Sequence, residues 1–403
     1  MKERLKILHL IDDLQGGGTS EWVKELVRLT DRKRFEPVVA YLVKIPGYNY
    51  EEELRALGVP VFYLGFERLS KQVLSVGTVR TRHGMRTFLR RLYALGCLIH
   101  LPAIIRLARR EGIDVFHTHL HYSFILGALA GRRLGIPVVH QVPQLKAQTR
   151  QGASWAFAAY RWLHPWVNLF FTGLSVEELV QAGGVPQEKI RRITGTVDLE
   201  TVGSISADQN RIVAEFHLQD AFPILLSVGR FVPEKGHALA LEVLQLLKAD
   251  FPKIRLIILG EGWEFEKFKS HVSADGLSEH VVLPGYRRDL GEFYSAAHLY
   301  LRTSLIEGYN MASNAAMAYG KPVVGFETGS PSELICSDSN GILVPKADVS
   351  AMAQSVCELI RGEAKRNRLG SAGRQLVEQH WDIRKAVRLF EAAYQRLAKG
   401  VRS

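Results

Sequence analysis

Short apolar runs alternate with amphipathic stretches along most of the chain. Lys6 to Leu14 reads as a strand that runs into Gly16-Gly17-Gly18 and then a helix from about Thr19, where Trp22, Val23, Leu26 and Val27 recur at helical spacing. Further strands are predicted at Pro37 to Val43, Val59 to Leu64, Asp114 to Thr118, Pro137 to Val142 and Arg192 to Thr194, separated by helical stretches. The rhythm is lost between Asp198 and Phe222 and restarts at Ile224 to Val228. It continues through Leu256 to Leu259, Val281 to Leu283, an apolar run from Leu299, Val323-Val324 and Gly341 to Val344, with terminal helices at Met352 to Arg361 and Arg384 to Ala398. Alternating strands and helices predict doubly wound parallel α/β sheets. At 403 residues the chain is long for one core, so two domains are expected, 1–198 and 199–383, with a last helix over 384–400 that packs back on the first.

Composition narrows the class. A hydrophobic fraction of 47% with 23% charged residues is that of a globular protein. Cys97, Cys336 and Cys357 form no CxxC pair or even framework, which fits a reducing, cytoplasmic setting. The N-terminus lacks a signal-peptide pattern, and the most apolar stretch, Tyr93 to Ile105, falls short of the roughly 20 residues a spanning helix needs. The net charge of +11 is concentrated: residues 1–195 carry 28 Lys/Arg against 16 Asp/Glu, and no acid lies between Glu67 and Glu111. That acid-free stretch holds Arg68, Lys71, Arg80, Arg82, Arg86, Arg90, Arg91, Arg106, Arg109 and Arg110, a patch attractive to an anionic membrane surface or polyanionic substrate. Its second half reads either as an interfacial helix or as an ordinary surface helix. The aromatic segment Trp155 to Phe171 likewise reads as core or as headgroup boundary. No nucleic-acid module accompanies the charge.

Candidate chemistry sits in the loops that follow strands, where ligands bind in open parallel sheets. Glu307 lies in a polar loop between the Leu299 run and a helical Ala/Met segment. After Ile224 to Val228 comes Gly229-Arg230-Phe231-Val232-Pro233-Glu234-Lys235-Gly236, whose two cations five residues apart suit a diphosphate clamp. Gly260-Glu261-Gly262 is a second strand-end glycine loop, and Pro284-Gly285-Tyr286-Arg287 a third that suits a planar base. The triple glycine at 16–18 permits close backbone approach to a ligand or serves as a simple tight turn. His117 and His119 alternate at another strand end; no carboxylate or cysteine accompanies them, so a hydrogen-bonding role is expected and no metal.

Taken together these loops resemble the retaining glycosyltransferases of family 4, with the GT-B fold. The matching pieces are VGRFVPEKG, ILGEGWE, LPGYRRDL, SLIEGYN, AMAYGKPVV, GSPSELI and NGILVPKAD, preceded by KILHLIDDLQGGGTSE, DVFHTHLHYS, GIPVVH and GVPQEKIRRI. The resemblance implies two Rossmann-like domains facing a cleft, the first binding acceptor and the second nucleotide-sugar. It assigns Arg230 and Lys235 to the donor diphosphate and leaving group, Glu307 to the donor sugar hydroxyls and His119 to the transferred sugar. The donor pocket is implied to include Gly16, Gly17, Gly18, Gly229, Gly260, Gly262, Tyr286, Arg287, Gly308, Tyr309, Asn310 and Met311. Neither metal nor other cofactor is implied, since fixed cations and N–H groups stabilise the departing diphosphate.

One departure stands out. The family places a second Glu eight positions after the first, where this chain has Ala315; the adjacent Asn314 points about 100° away on a helix. The expected function is transfer of a sugar from a nucleotide donor, UDP-linked, to a glycan or lipid-linked acceptor, on the cytoplasmic membrane face. The alternative is a non-catalytic GT-B binding protein that has lost donor turnover.

Overall fold

The computed structural model describes residues 4–15, 18–44, 49–65, 97–142, 154–172, 176–193, 197–204, 209–307, 311–328 and 335–400. Gly16, Gly17, Gly308, Tyr309, Asn310 and the basic residues from Arg68 to Arg91 lie outside these segments. The chain divides into two compact units, Met1–Ile193 with Arg384–Ser403, and Thr194–Ile383.

The first unit is built on a seven-stranded sheet of order β3-β2-β1-β4-β5-β6-β7, every pairing parallel. Its strands are β1 (Leu5–Asp13), β2 (Phe35–Val43), β3 (Val61–Tyr63), β4 (Val115–His119), β5 (Val138–Gln141), β6 (Leu169–Thr172) and β7 (Ile190–Arg192). Central strands such as β1 and β2 are near-continuous apolar runs because the sheet is covered on both faces. The strand order reverses between β1 and β4, so their carboxyl ends diverge there and leave a crevice.

Two sequence readings change in this unit. β6 is a strand of four buried residues inside the aromatic segment, which periodicity alone does not separate from helix. Among the described aromatic side chains Tyr160, Phe170 and Phe171 are core, Phe157 and Trp166 are half-buried and Trp162, 77% exposed, faces water, so most of these rings are interior packing. The last strand of the sheet is Ile190–Arg192, two residues earlier than the reading from sequence.

The described part of the basic stretch is the helix Leu101–Glu111 with a short 3-10 turn before it. Ile104, Leu107 and Ala108 enter the core while Arg106, Arg109 and Arg110 are exposed, the division of an ordinary surface helix. No helix among the described residues is long and apolar enough to cross a membrane.

The C-terminal helix Ile383–Gly400 packs onto the first unit. Its apolar stripe, including Val387, Phe390 and Tyr394, is buried at helical spacing. Glu391 accepts a hydrogen bond from the Asp31 N–H at 2.8 Å, and Phe390 packs at a tilt against Phe171 with ring centroids 4.4 Å apart.

The second unit is a six-stranded parallel sheet of order β10-β9-β8-β11-β12-β13. The strands are β8 (Ile224–Val228), β9 (Arg255–Leu259), β10 (Val281–Gly285), β11 (Leu299–Arg302), β12 (Val323–Phe326) and β13 (Gly341–Val344). Its order reverses between β8 and β11, and the loops carrying Lys235 and Glu307 leave the carboxyl ends of those two strands. The helices Leu199–Ser204 and Gln209–Glu215 occupy the region without strand periodicity, and the helix Glu363–His380 adds a further layer that the sequence reading did not separate.

Candidate functional site

In the second unit, β8 ends where the Tyr300 hydroxyl accepts from the Val228 N–H and donates to the Val228 carbonyl, at 3.3 and 3.1 Å. The next residues run beside the loop after β9: the Gly229 N–H donates to the Leu259 carbonyl and the Phe231 N–H to the Glu261 carbonyl, each at 2.9 Å. Side-by-side packing of two loops this close demands glycine. A Cβ on Gly260, whose φ is +136°, would lie 2.1 Å from the Gly229 carbonyl oxygen, and one on Gly262 would lie 2.3 Å from that of Phe231. These glycines therefore hold the chain at Arg230 and Phe231 in place through backbone contact.

A short 3-10 turn, Pro233–Lys235, then leads to the helix His237–Leu247. Two contacts tie this turn to the loop after β11: the Leu305 N–H donates to the Glu234 carbonyl at 2.8 Å, and the Thr303 hydroxyl to the Lys235 carbonyl at 3.2 Å. Across that junction Lys235 Nζ donates to Glu307 Oε1 at 2.5 Å. Glu307 is 6% exposed, while the Lys235 side chain retains 23%. The fold thus brings together two residues 72 positions apart that the sequence marked separately. Arg230 is exposed at the rim of the same loop, and no ion pair holds it among the described residues.

Two buried polar groups here escaped the sequence reading. Arg302, 2% exposed, donates through Nη2 to the Phe326 carbonyl at 2.5 Å, while its Nε and Nη1 are buried without a partner. Burial pulls its pKa down and the Glu307 carboxylate pulls it up. Unsatisfied buried donors on a cation are costly, and they lie near enough to Glu307 for its carboxylate to act on the guanidinium. An arginine closing an apolar run was the signal for it. His237 is the other; burial pushes its pKa to about 4, so it is neutral at pH 7 against Phe231, with ring centroids 4.7 Å apart.

Of the remaining donor-loop residues, Tyr286 is half-buried after β10. Arg287 is held in ion pairs with Glu215 at 2.5 Å and Asp289 at 2.7 Å, which raise its pKa and commit its guanidinium to the protein. Met311 opens the helix Met311–Ala318; within it Asn314 is buried and Ala315 half-buried against the core.

In the first unit His119 closes β4, and it is not alone. Successive side chains on a strand alternate faces, so His117 and His119 share one, and the β1–β4 register sets His9 opposite His117. All three are at most 1% exposed. His9 Nδ1 and His119 Nε2 are 3.3 Å apart, His119 Nδ1 faces Gln141 Oε1 at 3.1 Å, and His117 Nδ1 faces the Tyr394 hydroxyl at 2.6 Å. Burial lowers all three pKa values, that of His119 to about 3, so the imidazoles are neutral at pH 7. Asp12, at the end of β1, accepts the Ser123 and Tyr122 N–H groups at 2.7 and 3.3 Å and so holds the start of the helix His121–Leu134. Desolvation raises its pKa to about 7. Gly18, the described end of the glycine run, opens the helix Gly18–Leu29 after β1.

Comparison with known proteins places this pair of sheets. A model described as Glycosyltransferase Family 4 matches residues 16–201, and one described as Glycosyl transferases group 1 matches residues 208–376. An amylovoran biosynthesis glycosyltransferase, AmsK of Erwinia amylovora, is 27% identical over 346 residues, 81% of this chain and 80% of its own. A D-inositol 3-phosphate glycosyltransferase of Xylanimonas cellulosilytica is 26% identical over 302 residues, 68% of this chain and 70% of its own. Among solved structures, Anabaena HepE in complex with UDP and glucose superposes with a TM-score of 0.79 at 18% identity, covering 98% of this chain and all of that one. With two doubly wound parallel sheets and a match to both halves of the family, the chain is a member of the family 4 glycosyltransferases of GT-B fold.

Proposed function

We propose that the protein transfers a glycosyl group from a nucleoside diphosphate sugar, a UDP-sugar, to a glycan or lipid-linked acceptor with retention of anomeric configuration and without a catalytic metal. The observation that carries this reading is the Lys235–Glu307 pair at the topological switch point of the second sheet, with Arg230 at its rim and unpartnered Arg302 nitrogens beneath it. Arg230, Lys235 and Arg302 supply cationic donors of the kind a diphosphate requires.

In the proposed reaction Arg230 and Lys235 hold the diphosphate and stabilise the charge that grows as the bond between the anomeric carbon and the phosphate oxygen breaks. Glu307 accepts hydrogen bonds from sugar hydroxyls. The acceptor oxygen attacks from the face the leaving group departs, and its proton passes to the released phosphate oxygen. No protein carboxylate is then needed as base. His119, buried and neutral, donates or accepts a hydrogen bond and does not act as a cation. The UDP held by HepE and the part of AmsK in amylovoran biosynthesis support the choice of donor and acceptor class.

The test is nucleoside diphosphate release from a panel of UDP- and GDP-sugars with membrane glycolipid extract. Turnover is expected with one donor, falling by ~100-fold in Arg230→Ala and in Lys235→Ala, the loss typical of one stabilising donor. Full activity in both variants would refute the assignment. Ala315 favours a second reading, a binding protein without turnover; UDP binding by calorimetry with no release from any donor would establish it.

A further inference from the structure

The sequence presents His117 and His119 as an isolated pair, but the sheet adds His9 from β1, more than 100 residues away. Among the described residues these three form a cluster whose ligand atoms, one ring nitrogen each, lie within 4.8 Å of one another. We propose that His9, His117 and His119 form a binding site for a soft divalent transition metal, Zn2+ foremost, distinct from the metal-free donor chemistry of the second unit.

The hydrogen-bond arithmetic of the cluster carries this. His119 Nδ1–H donates to Gln141 Oε1, leaving the Nε2 lone pair directed at His9. A His9 Nδ1–H can satisfy that lone pair. Nothing then satisfies His117 Nε2, which is buried and without a partner whichever way Nδ1 and the Tyr394 hydroxyl share their proton. A metal ion resolves the conflict: His9 shifts its proton to Nε2, His117 donates Nδ1–H to Tyr394, and all three rings present lone pairs inward.

The distances suit this. Ligands about 2.0–2.1 Å from a tetrahedral zinc lie about 3.3 Å apart, the separation already present between His9 Nδ1 and His119 Nε2. The other ligand-atom separations lie within 4.8 Å. Gln141 and Tyr394 stand where the outer partners of ligating histidines belong, fixing tautomer and ring orientation. Three histidines leave the fourth position to water or an anion. Since the proposed reaction uses His119 as an imidazole without a metal ligand bond, occupancy of this site inhibits transfer.

The test uses the full chain, freed of metal by a chelator, titrated with Co2+ and separately with Zn2+. We expect one equivalent of Co2+ with the visible bands of a tetrahedral site, displaced by Zn2+, and a melting temperature raised by Zn2+ but not Mg2+. Tyr394→Phe, which keeps the ring and loses the outer partner, weakens Zn2+ binding about 10–100-fold. His9→Gln and His117→Gln abolish the Co2+ bands. Wild-type protein that takes up no Co2+ overturns the proposal, leaving the histidines as a hydrogen-bond chain. So does uptake that survives both histidine substitutions with the fold intact by circular dichroism. Neither result bears on UDP binding, so the donor-site reading stands or falls separately.

Discussion

Replacing Lys235 with Met tests whether the Lys235–Glu307 pair both holds the second unit together and binds the donor. Glu307 is 6% exposed, so without Lys235 its carboxylate stays buried with Arg302 as the remaining cation beside it. Removing one partner of a buried pair costs ~3–5 kcal/mol. Because the Lys235 side chain is 23% exposed and Arg302 compensates in part, the lower end applies, about 3 kcal/mol. In Lys235→Met/Glu307→Gln no orphan carboxylate is left, and the loss is about 1 kcal/mol, that of one ordinary hydrogen bond. The double variant is therefore expected to be more stable than the single one. UDP affinity does not recover with it, because the cation is still missing; a charge-assisted bond of ~2 kcal/mol corresponds to about 30-fold. Denaturant-dependent hydrogen exchange of peptides from β8 and β11 reads the stability of the second unit apart from the first, and calorimetry reads UDP affinity. A double variant as unstable as Lys235→Met, or one that binds UDP like the wild type, would refute the reasoning.

Acid should unfold the first unit steeply. His9, His117, His119 and His140 are buried with lowered pKa values, so the folded state refuses protons that the unfolded chain takes up below about pH 6.5. Their stabilisation is present above pH 6.5 and drains away as pH falls. Asp12, raised to about 7, works the other way, holding a proton when folded that the unfolded chain releases, and offsets one of the four. Near pH 5 stability should then change by about 4 kcal/mol per pH unit, read by exchange of β1 and β4 peptides; a slope of one proton or less would contradict it. Asp12→Asn keeps at most one of the two N–H contacts and removes the group that titrates near 7, so it should steepen the acid limb near pH 5; an unchanged limb would count against this. Gly260→Ala places a Cβ 2.1 Å from the Gly229 carbonyl at a φ of +136° and is expected to cost at least ~3 kcal/mol and UDP binding with it. Ala315→Glu should raise UDP affinity at least about 10-fold by supplying one charged hydrogen bond; unchanged affinity in a folded variant would show that a carboxylate at this position does not reach the donor.

Most of the frame was legible locally. Strands followed by glycine loops announce themselves through short-range periodicity, so β1, β8, β12 and β13 and the candidates Arg230, Lys235 and Glu307 all stand out in the chain. Where local pattern was ambiguous the reading slipped: β6 is too short and too apolar to tell from helix, and the helix Glu363–His380 carries only a weak apolar stripe, with Leu369 and Val377 among its few buried residues.

What the sequence by itself determined is the family, the alternation of strand and helix, and which loops end in chemistry, because each of these is written in residues close together. What the tertiary structure decided are the partners. Strand order sets His9 against His117, the docking of the C-terminal helix brings Tyr394 onto His117 across 277 residues, and the crossing of two loops joins Lys235 to Glu307 and buries Arg302 beside them. Periodicity reports only which face of an element is apolar; the residue it meets there depends on which strand lies next in the sheet.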